Sequence, residues 1–202
     1  MSHAISTLRS LGHEITDDEA RGVLIAILLH DIGHGPYSHT LEHSIVSGIK
    51  HEEVSALYMK KLNTEFEGEL DLAIEIFNND YPKYFLHQLV SSQLDMDRLD
   101  YLSRDSFYSG VSEGVVSNQR IIKMIDVVND ELVINEKGIY SIEKFIVARR
   151  LMYWQVYLHK TVLSAEFLLM NILKRAKHQA KEDNTLFATE AMKYFLFNDV
   201  VA

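Results

Sequence analysis

Apolar residues recur along the chain at intervals of three and four, the period of a helix with one buried face, and strict alternation is nearly absent. Only Pro36, Pro82 and nine glycines interrupt the pattern, so the sequence predicts a nearly all-helical protein. "TDDE" at 16–19 fits a capping box, with Thr16 as N-cap and Glu19 three residues on, and Asp17 and Asp18 suit the positive end of the helix dipole. The helix beginning there runs through "EARGVLIAILLHDIGH" towards Gly33 and Gly35. Its middle is apolar nearly all round, which predicts a central buried helix carrying His30 and Asp31 at its C-terminal end. A short helix is expected after Pro36, in "SHTLEHSIV". Further helices are expected in "HEEVSALYMKKLNTEF", in "ELDLAIEIF", after Pro82, and in "SSQLDMDRLDYLSRDSF", where Leu94, Met96, Leu99 and Leu102 supply the apolar side. One patch reads as β: "ELVINEKGIYSI", two short runs around Glu-Lys-Gly, predicts a small hairpin. From Ser141 to Lys181 no Pro or Gly intervenes, which predicts one long helix or two joined by a bend, and a last amphipathic piece, "ATEAMKYFLF", follows. No repeat, low-complexity tract or linker-like segment divides the sequence. Residues 1–202 therefore read as a single domain, all-α with at most one small β-hairpin.

At 202 residues and 47% hydrophobic, the chain has enough apolar side chain for one substantial core. No run approaches the ~18 uninterrupted apolar residues of a membrane span, and the first residues lack the basic-then-apolar layout of a signal peptide. A soluble cytoplasmic protein without a membrane partner is the expectation. The absence of cysteine excludes disulfides and thiolate metal sites, so any metal must be held by imidazole and carboxylate. A net charge of -9 argues against nonspecific nucleic-acid binding, which needs a surplus of Lys and Arg. A small anionic ligand stays open where cations gather locally.

Candidate chemistry concentrates in two stretches. Residues 28–39, "LLHDIGHGPYSH", carry three histidines and an aspartate where the apolar helix stops. His34 stands one helical turn beyond His30, roughly 6 Å along the axis, and His39 and His43 form a second turn-spaced pair. The small residues flanking His34 leave room for a ligand to approach backbone. A histidine at the end of a buried helix is, taken alone, more often a hydrogen-bonded core or capping residue. Residues 94–105, "LDMDRLDYLSRD", set Asp97, Asp100, Tyr101, Arg104 and Asp105 on one helical face. By itself that face equally describes a solvated surface with an Asp100–Arg104 pair worth about 0.3 kcal/mol.

In this order and spacing, "HDIGHGPYSH" and "LDMDRLDYLSRD" resemble the HD-domain phosphohydrolase superfamily. The likeness is to the branch containing deoxynucleoside triphosphate triphosphohydrolases and the sterile-alpha-motif/HD-domain dNTPase. It extends through "GVVSNQRIIKMIDVVNDELVI" and "ARRLMYWQVYLHK" and covers most of residues 20–165. The resemblance implies an HD-domain helical bundle. It implies that the dyad His30–Asp31 and the distant Asp97 hold a divalent metal with an upstream histidine, and such a set suits Mn, Fe, Ni, Zn or Mg. Positions matching His34, His39 and His51 line the substrate phosphates in that family, with Glu42 near them, as general acid/base or phosphate-binding groups. Arg98, Tyr101, Asp105, Arg149, Tyr157 and Lys160 match positions that contact phosphates, sugar or neighbouring nucleotide sites. Helical arithmetic adds to this set: Arg149, Tyr153, Tyr157 and Lys160 fall at i, i+4, i+8 and i+11, one stripe of cations and aromatic faces suited to a phosphate chain and a sugar or base. Half-buried tyrosines with basic tips in water give the same stripe. Tyr108 and Trp154 read as packing residues, and His13, His87 and His178 as ordinary surface or core residues.

The implied reaction is hydrolysis of a nucleotide, in its leading form attack of metal-activated water on the α-phosphorus of a deoxynucleoside triphosphate to release nucleoside and triphosphate. A homo-oligomer is implied by analogy. One motif departs from the family. Its first metal histidine stands on an earlier helix, roughly forty residues before the dyad, in a context like Arg-Phe-x-His-Ser/Ala-Leu-Gly. Here the early candidate, His3, precedes His30 by 27 residues in "MSHAISTLRSLG", without those surroundings. The reading therefore expects a fold shortened at both ends, in which one imidazole and two carboxylates hold the metal with less control and turnover is impaired. Two rivals follow: a phosphomonoesterase or phosphodiesterase on another nucleotide, disfavoured by "GHGPYSH", and a catalytically silent nucleotide-binding or regulatory module, favoured by the missing histidine.

Overall fold

The computed structural model describes residues 1–37, 39–42, 44–183 and 186–201, with His39, Glu42, Val46, Ser47, Asp183, Val200 and Val201 described by their backbone alone. After α1 (Ser2–Ser10), Thr16 caps α2 (Asp17–Leu29) as its sequence indicates. The Thr16 hydroxyl accepts from the Glu19 amide at 3.1 Å, and Glu19 Oε2 accepts from the Thr16 amide at 2.8 Å. Next come α3 (His39–Glu42), β1 (Val46–Ser47), α4 (His51–Glu65), α5 (Asp71–Asn78), α6 (Tyr84–Val90), α7 (Met96–Ser109) and α8 (Asn118–Ile122). A hairpin of β2 (Ile125–Val128) and β3 (Glu131–Ile134) then leads into α9 (Ile139–Met152), α10 (Lys160–Asp183), α11 (Glu190–Phe197) and β4 (Val200–Val201). Among the described residues the fold is all-α with one antiparallel hairpin, beside a two-residue parallel pairing of β1 with β4.

The core forms around α6, where Phe85, Leu86, Leu89 and Val90 are all buried. Ile5 and Leu8 of α1, Val23 and Ala26 of α2, Leu99 and Leu102 of α7, and Phe145 and Met152 of α9 close over it. This packing fixes the end of α2 against the start of α7, which is where the two chemical stretches meet. Glu19 adds a polar tie. Its buried carboxylate accepts from the Tyr81 hydroxyl at 2.7 Å and from Lys83 Nζ at 2.9 Å, locking the start of α2 to the approach of α6.

Three expectations change in the structure, and one open choice, between a single long helix and two joined by a bend, is decided. α2 is covered on one face only: Val23 and Ala26 are fully buried, whereas Leu28 is 78% exposed, because α5 and α6 pack on the side of Gly22 and leave the opposite apolar side open. The hairpin lies one strand earlier than expected. Ile125 pairs with Ile134 across a turn at Asn129 and Asp130, both with positive φ (52° and 66°), the conformation a two-residue hairpin turn requires. Glu-Lys-Gly instead forms a single helical turn, Glu136–Gly138, entering α9. The Ser141–Lys181 stretch is two helices joined by a bend, a π-turn at Tyr153–Tyr157 between α9 and α10. Finally, Tyr108 and Trp154 are not packing residues: they are 80% and 60% exposed, and Trp154 lies under the Arg150 guanidinium at 4.6 Å.

Candidate metal centre

α2 ends at His30, which caps it. His30 Nδ1 donates to the Ile27 carbonyl at 2.7 Å, which fixes the tautomer and presents Nε2 to the surroundings. Nε2 faces Asp31 Oδ2 at 3.4 Å and Asp97 Oδ1 at 3.8 Å. Asp97 is held there by the first turn of α7, whose N-cap Asp95 is buried and accepts from the Arg98 amide at 2.7 Å. One donor atom from each of His30, Asp31 and Asp97 lies within 4.8 Å of the others. The Asp97 carboxylate, working against burial and helped by the Ile27 carbonyl and Asp31, lifts the His30 imidazole to about 9. An imidazole nitrogen and two carboxylates thus share a gap that already stabilises positive charge, and this donor chemistry fits a divalent cation.

Asp31 also turns to a second pair of side chains. Its Oδ1 lies 3.6 Å from His34 Nε2, and the His34 ring stacks on the His51 ring with centroids 4.0 Å apart and planes 13° from parallel. His51 is the first residue of α4, and its Nε2 lies 3.6 Å from Glu52 Oε1. Asp31, His34 and His51 form a second donor group within the same 4.8 Å limit. The side chains of His39 and Glu42, and all of His43, lie outside the described residues.

A third cluster continues along α7. The Tyr157 hydroxyl donates to Asp105 Oδ2 at 2.6 Å, and the Tyr157 ring meets Tyr101 and Tyr153 edge-on at 6.2 and 5.2 Å. Burial pushes the Tyr157 hydroxyl up, the Asp105 contact pushes it further, and burial raises Tyr101. Arg149 stands 5.9 Å over the Tyr153 ring and donates to Gln93 Oε1 at 3.2 Å. The predicted stripe therefore holds from Arg149 to Tyr157. Lys160 lies beyond the π-turn that ends α9, as the exposed first residue of α10. The Arg98 guanidinium donates to the Asp95 carboxylate and the Ser92 carbonyl, and it lines a cavity of about 600 Å³ with Tyr84, Gln88 and Gln93, the last of which also accepts from Arg149. His3 is exposed in a groove beside Gln119 and Lys123 and belongs to neither donor group. Gln93 and Ser55, which contact these clusters, were invisible in the sequence, since an amide or a hydroxyl at helical spacing has no distinguishing chemistry.

The family model for the HD domain matches residues 3–105, and that for an HD associated region matches residues 116–194. The chain belongs to the HD-domain phosphohydrolase superfamily. Three proteins similar to this chain are informative. The uncharacterized protein YwfO of Bacillus subtilis is 35% identical over 192 residues, covering 90% of this chain and 43% of that protein. The deoxynucleoside triphosphate triphosphohydrolase SAMHD1 homolog of Dictyostelium discoideum is 31% identical over 196 residues, covering 86% and 37%. A crystal structure of a phosphohydrolase from Bacteroides thetaiotaomicron is 60% identical with a TM-score of 0.96, covering all of this chain and 50% of that one. The chain thus spans half or less of the length of each. HD domains bind divalent metals, and the His30–Asp31–Asp97 group carries the dyad that gives the family its name. No described helix is long and apolar enough to cross a membrane.

Proposed function

We propose that this HD domain is a divalent-metal-dependent phosphohydrolase acting on a nucleotide, of the deoxynucleoside triphosphate triphosphohydrolase type. The observation that carries the reading is the convergence of the His30, Asp31 and Asp97 donor atoms within 4.8 Å, next to paired imidazoles and a Tyr–Asp–Arg cluster. His30, Asp31 and Asp97 would hold the ion. Bound there, a divalent ion supplies acidification of water and withdrawal of charge from phosphoryl oxygens.

The chain's own residues do the rest. The oxygen of water bonds to the α-phosphorus, the bond from that phosphorus to the sugar 5′ oxygen breaks, and a proton must reach the departing oxygen. We assign that donation to the imidazoles of His34 and His51, a reading supported by their stacking 4.0 Å apart beside Asp31. His39 and Glu42 belong to the same expected set. Arg149 neutralises triphosphate charge, while Tyr101, Tyr157 and Asp105 form a semi-apolar wall for the sugar and base. The products are nucleoside and triphosphate.

The Asp31–His34–His51 donor group supports a second reading, in which His34 and His51 ligate a second cation. One experiment separates these. Purified protein is assayed with dNTPs and NTPs under Mn, Fe, Ni, Zn and Mg, and bound metal and released species are measured together. Inorganic triphosphate with about one metal per chain supports the first reading; two metals per chain support the second. Absence of both hydrolysis and retained metal overturns the proposal.

A further inference from the structure

We infer that Gly33 and Ser55 form a latch that positions His51 against Asp31 and His34, so that both are positioning residues for the chemistry of this site. The inference rests on the reading of His34 and His51 given above. Gly33 lies between Asp31 and His34, and Ser55 lies one turn beyond His51 on α4. The Gly33 amide donates to Ser55 Oγ at 2.9 Å, and the Ser55 side chain is fully buried.

The approach is closer than any side chain at position 33 allows. A Cβ there would stand 2.2 Å from the His51 carbonyl oxygen, 2.4 Å from the Ser55 amide nitrogen and 2.7 Å from Ser55 Oγ. Two of these neighbours are backbone atoms of the first turn of α4, so relief requires the helix itself to move. Gly33 is not among the glycines with positive φ. It is needed for close approach rather than for its own conformation.

α4 buries only two residues, Ser55 and Met59. Met59 inserts into the core and holds the middle of the helix, which leaves Ser55 as the anchor for its first turn. That turn carries His51, whose ring lies 4.0 Å from His34 on the loop that Gly33 clamps. The latch therefore sets the distance between two imidazoles coming from separate elements. Loss of the latch should displace His51 while Met59 preserves the fold, and a displacement near 1 Å at a reacting group costs on the order of 100-fold in rate.

The test uses Ser55→Ala, with Gly33→Ala as a second variant. In metal-free protein, the ring protons of His34 and His51 are followed by NMR, each assigned through its own His→Gln substitution, because stacked imidazoles shift one another's resonances. Ser55→Ala is expected to move both sets towards unstacked positions while the protein stays folded, with the unfolding midpoint lowered only by the loss of this one hydrogen bond. In the nucleotide assay it should lower kcat about tenfold or more and KM little. In a His51→Ala background it should have almost no further effect on kcat. Unchanged ring-proton shifts in both variants, or fully additive losses in the double variant, overturn the latch. If the wild-type protein hydrolyses no nucleotide, the proposed function fails while the NMR arm still decides whether the latch positions His51.

Discussion

The His30 imidazole meets the Asp97 carboxylate with Nε2 3.8 Å from Oδ1, although the two residues sit on different helices far apart in sequence. α6 makes this possible, because its buried side chains hold the end of α2 and the start of α7 against a common core. Asp97→Ala removes one of three donors from the group and leaves one carboxylate facing His30. Loss of bound divalent metal from the purified protein is expected, with affinity falling by more than about 100-fold, since loss of an outer supporting partner alone reaches that figure. Elemental analysis after gel filtration measures it, and retention of stoichiometric metal by the variant would show that Asp97 is not a ligand.

Tyr157→Phe deletes the hydroxyl that donates to Asp105 at 2.6 Å without disturbing the ring contacts to Tyr101 and Tyr153. The partly buried Asp105 carboxylate then lacks this donor, and about 1.5–3 kcal/mol of stability should be lost, the usual range for a hydrogen bond to a charged group. If this wall receives the sugar and base, KM for nucleotide rises severalfold while the metal stays bound. Urea unfolding and steady-state kinetics on the same preparation separate the two effects.

Much of this arrangement was legible locally. The Thr16–Glu19 box is set by spacing within one helix and the structure keeps it, and of the five-residue face on α7, Asp97, Tyr101 and Asp105 are half-buried while Asp100 and Arg104 form an exposed ion pair. What local pattern could not carry were events between elements. Nothing in the apolar run of α2 says that Leu28 is left open while Val23 is covered. The turn at Asn129–Asp130 depends on two successive left-handed residues, and Glu-Lys-Gly offered a glycine that competed with it as a turn signal. The π-turn at Tyr153–Tyr157 has no proline or glycine to announce it, so helical spacing alone does not show that Lys160 begins a separate helix. The stacking of His34 on His51 follows from a loop folding back onto α4, which residue spacing does not encode.

Glu19 gives the acid limb of stability a specific origin. Burial alone would raise its carboxyl, but Lys83, the Thr16 amide and the Tyr81 hydroxyl together hold it below its ordinary 4.5. A carboxyl depressed in the folded state contributes stability above its ordinary pKa, and that contribution disappears as pH falls through the folded value. The protein should therefore lose stability on acidification below about pH 4.5, and Glu19→Gln should flatten that slope. At neutral pH the substitution should cost about 2 kcal/mol, because the partly exposed Lys83 ammonium loses its charge partner but keeps the Glu14 carbonyl. Unfolding midpoints from pH 7 down to pH 3 for both proteins test this. Parallel curves would assign the acid sensitivity to other carboxylates.

Arg98 separates resemblance from geometry. The resemblance puts it among positions that contact phosphates, sugar or neighbouring nucleotide sites, while in the structure its guanidinium donates to the Asp95 carboxylate and the Ser92 carbonyl. Asp95 is 2% exposed, and burial pushes its carboxyl up, so the Arg98 charge offsets an unfavourable desolvation at the N-cap of the helix that carries Asp97. Removing one partner of such a pair strands a buried charge and costs about 3 kcal/mol. Arg98→Ala should then lower the unfolding midpoint substantially and loosen the first turn of α7, weakening metal retention, while KM for nucleotide changes less than twofold in whatever fraction stays metal-loaded. A phosphate-binding arginine predicts the opposite: KM rising tenfold or more with stability and metal content intact, because about 1.4 kcal/mol of lost binding corresponds to a factor of ten.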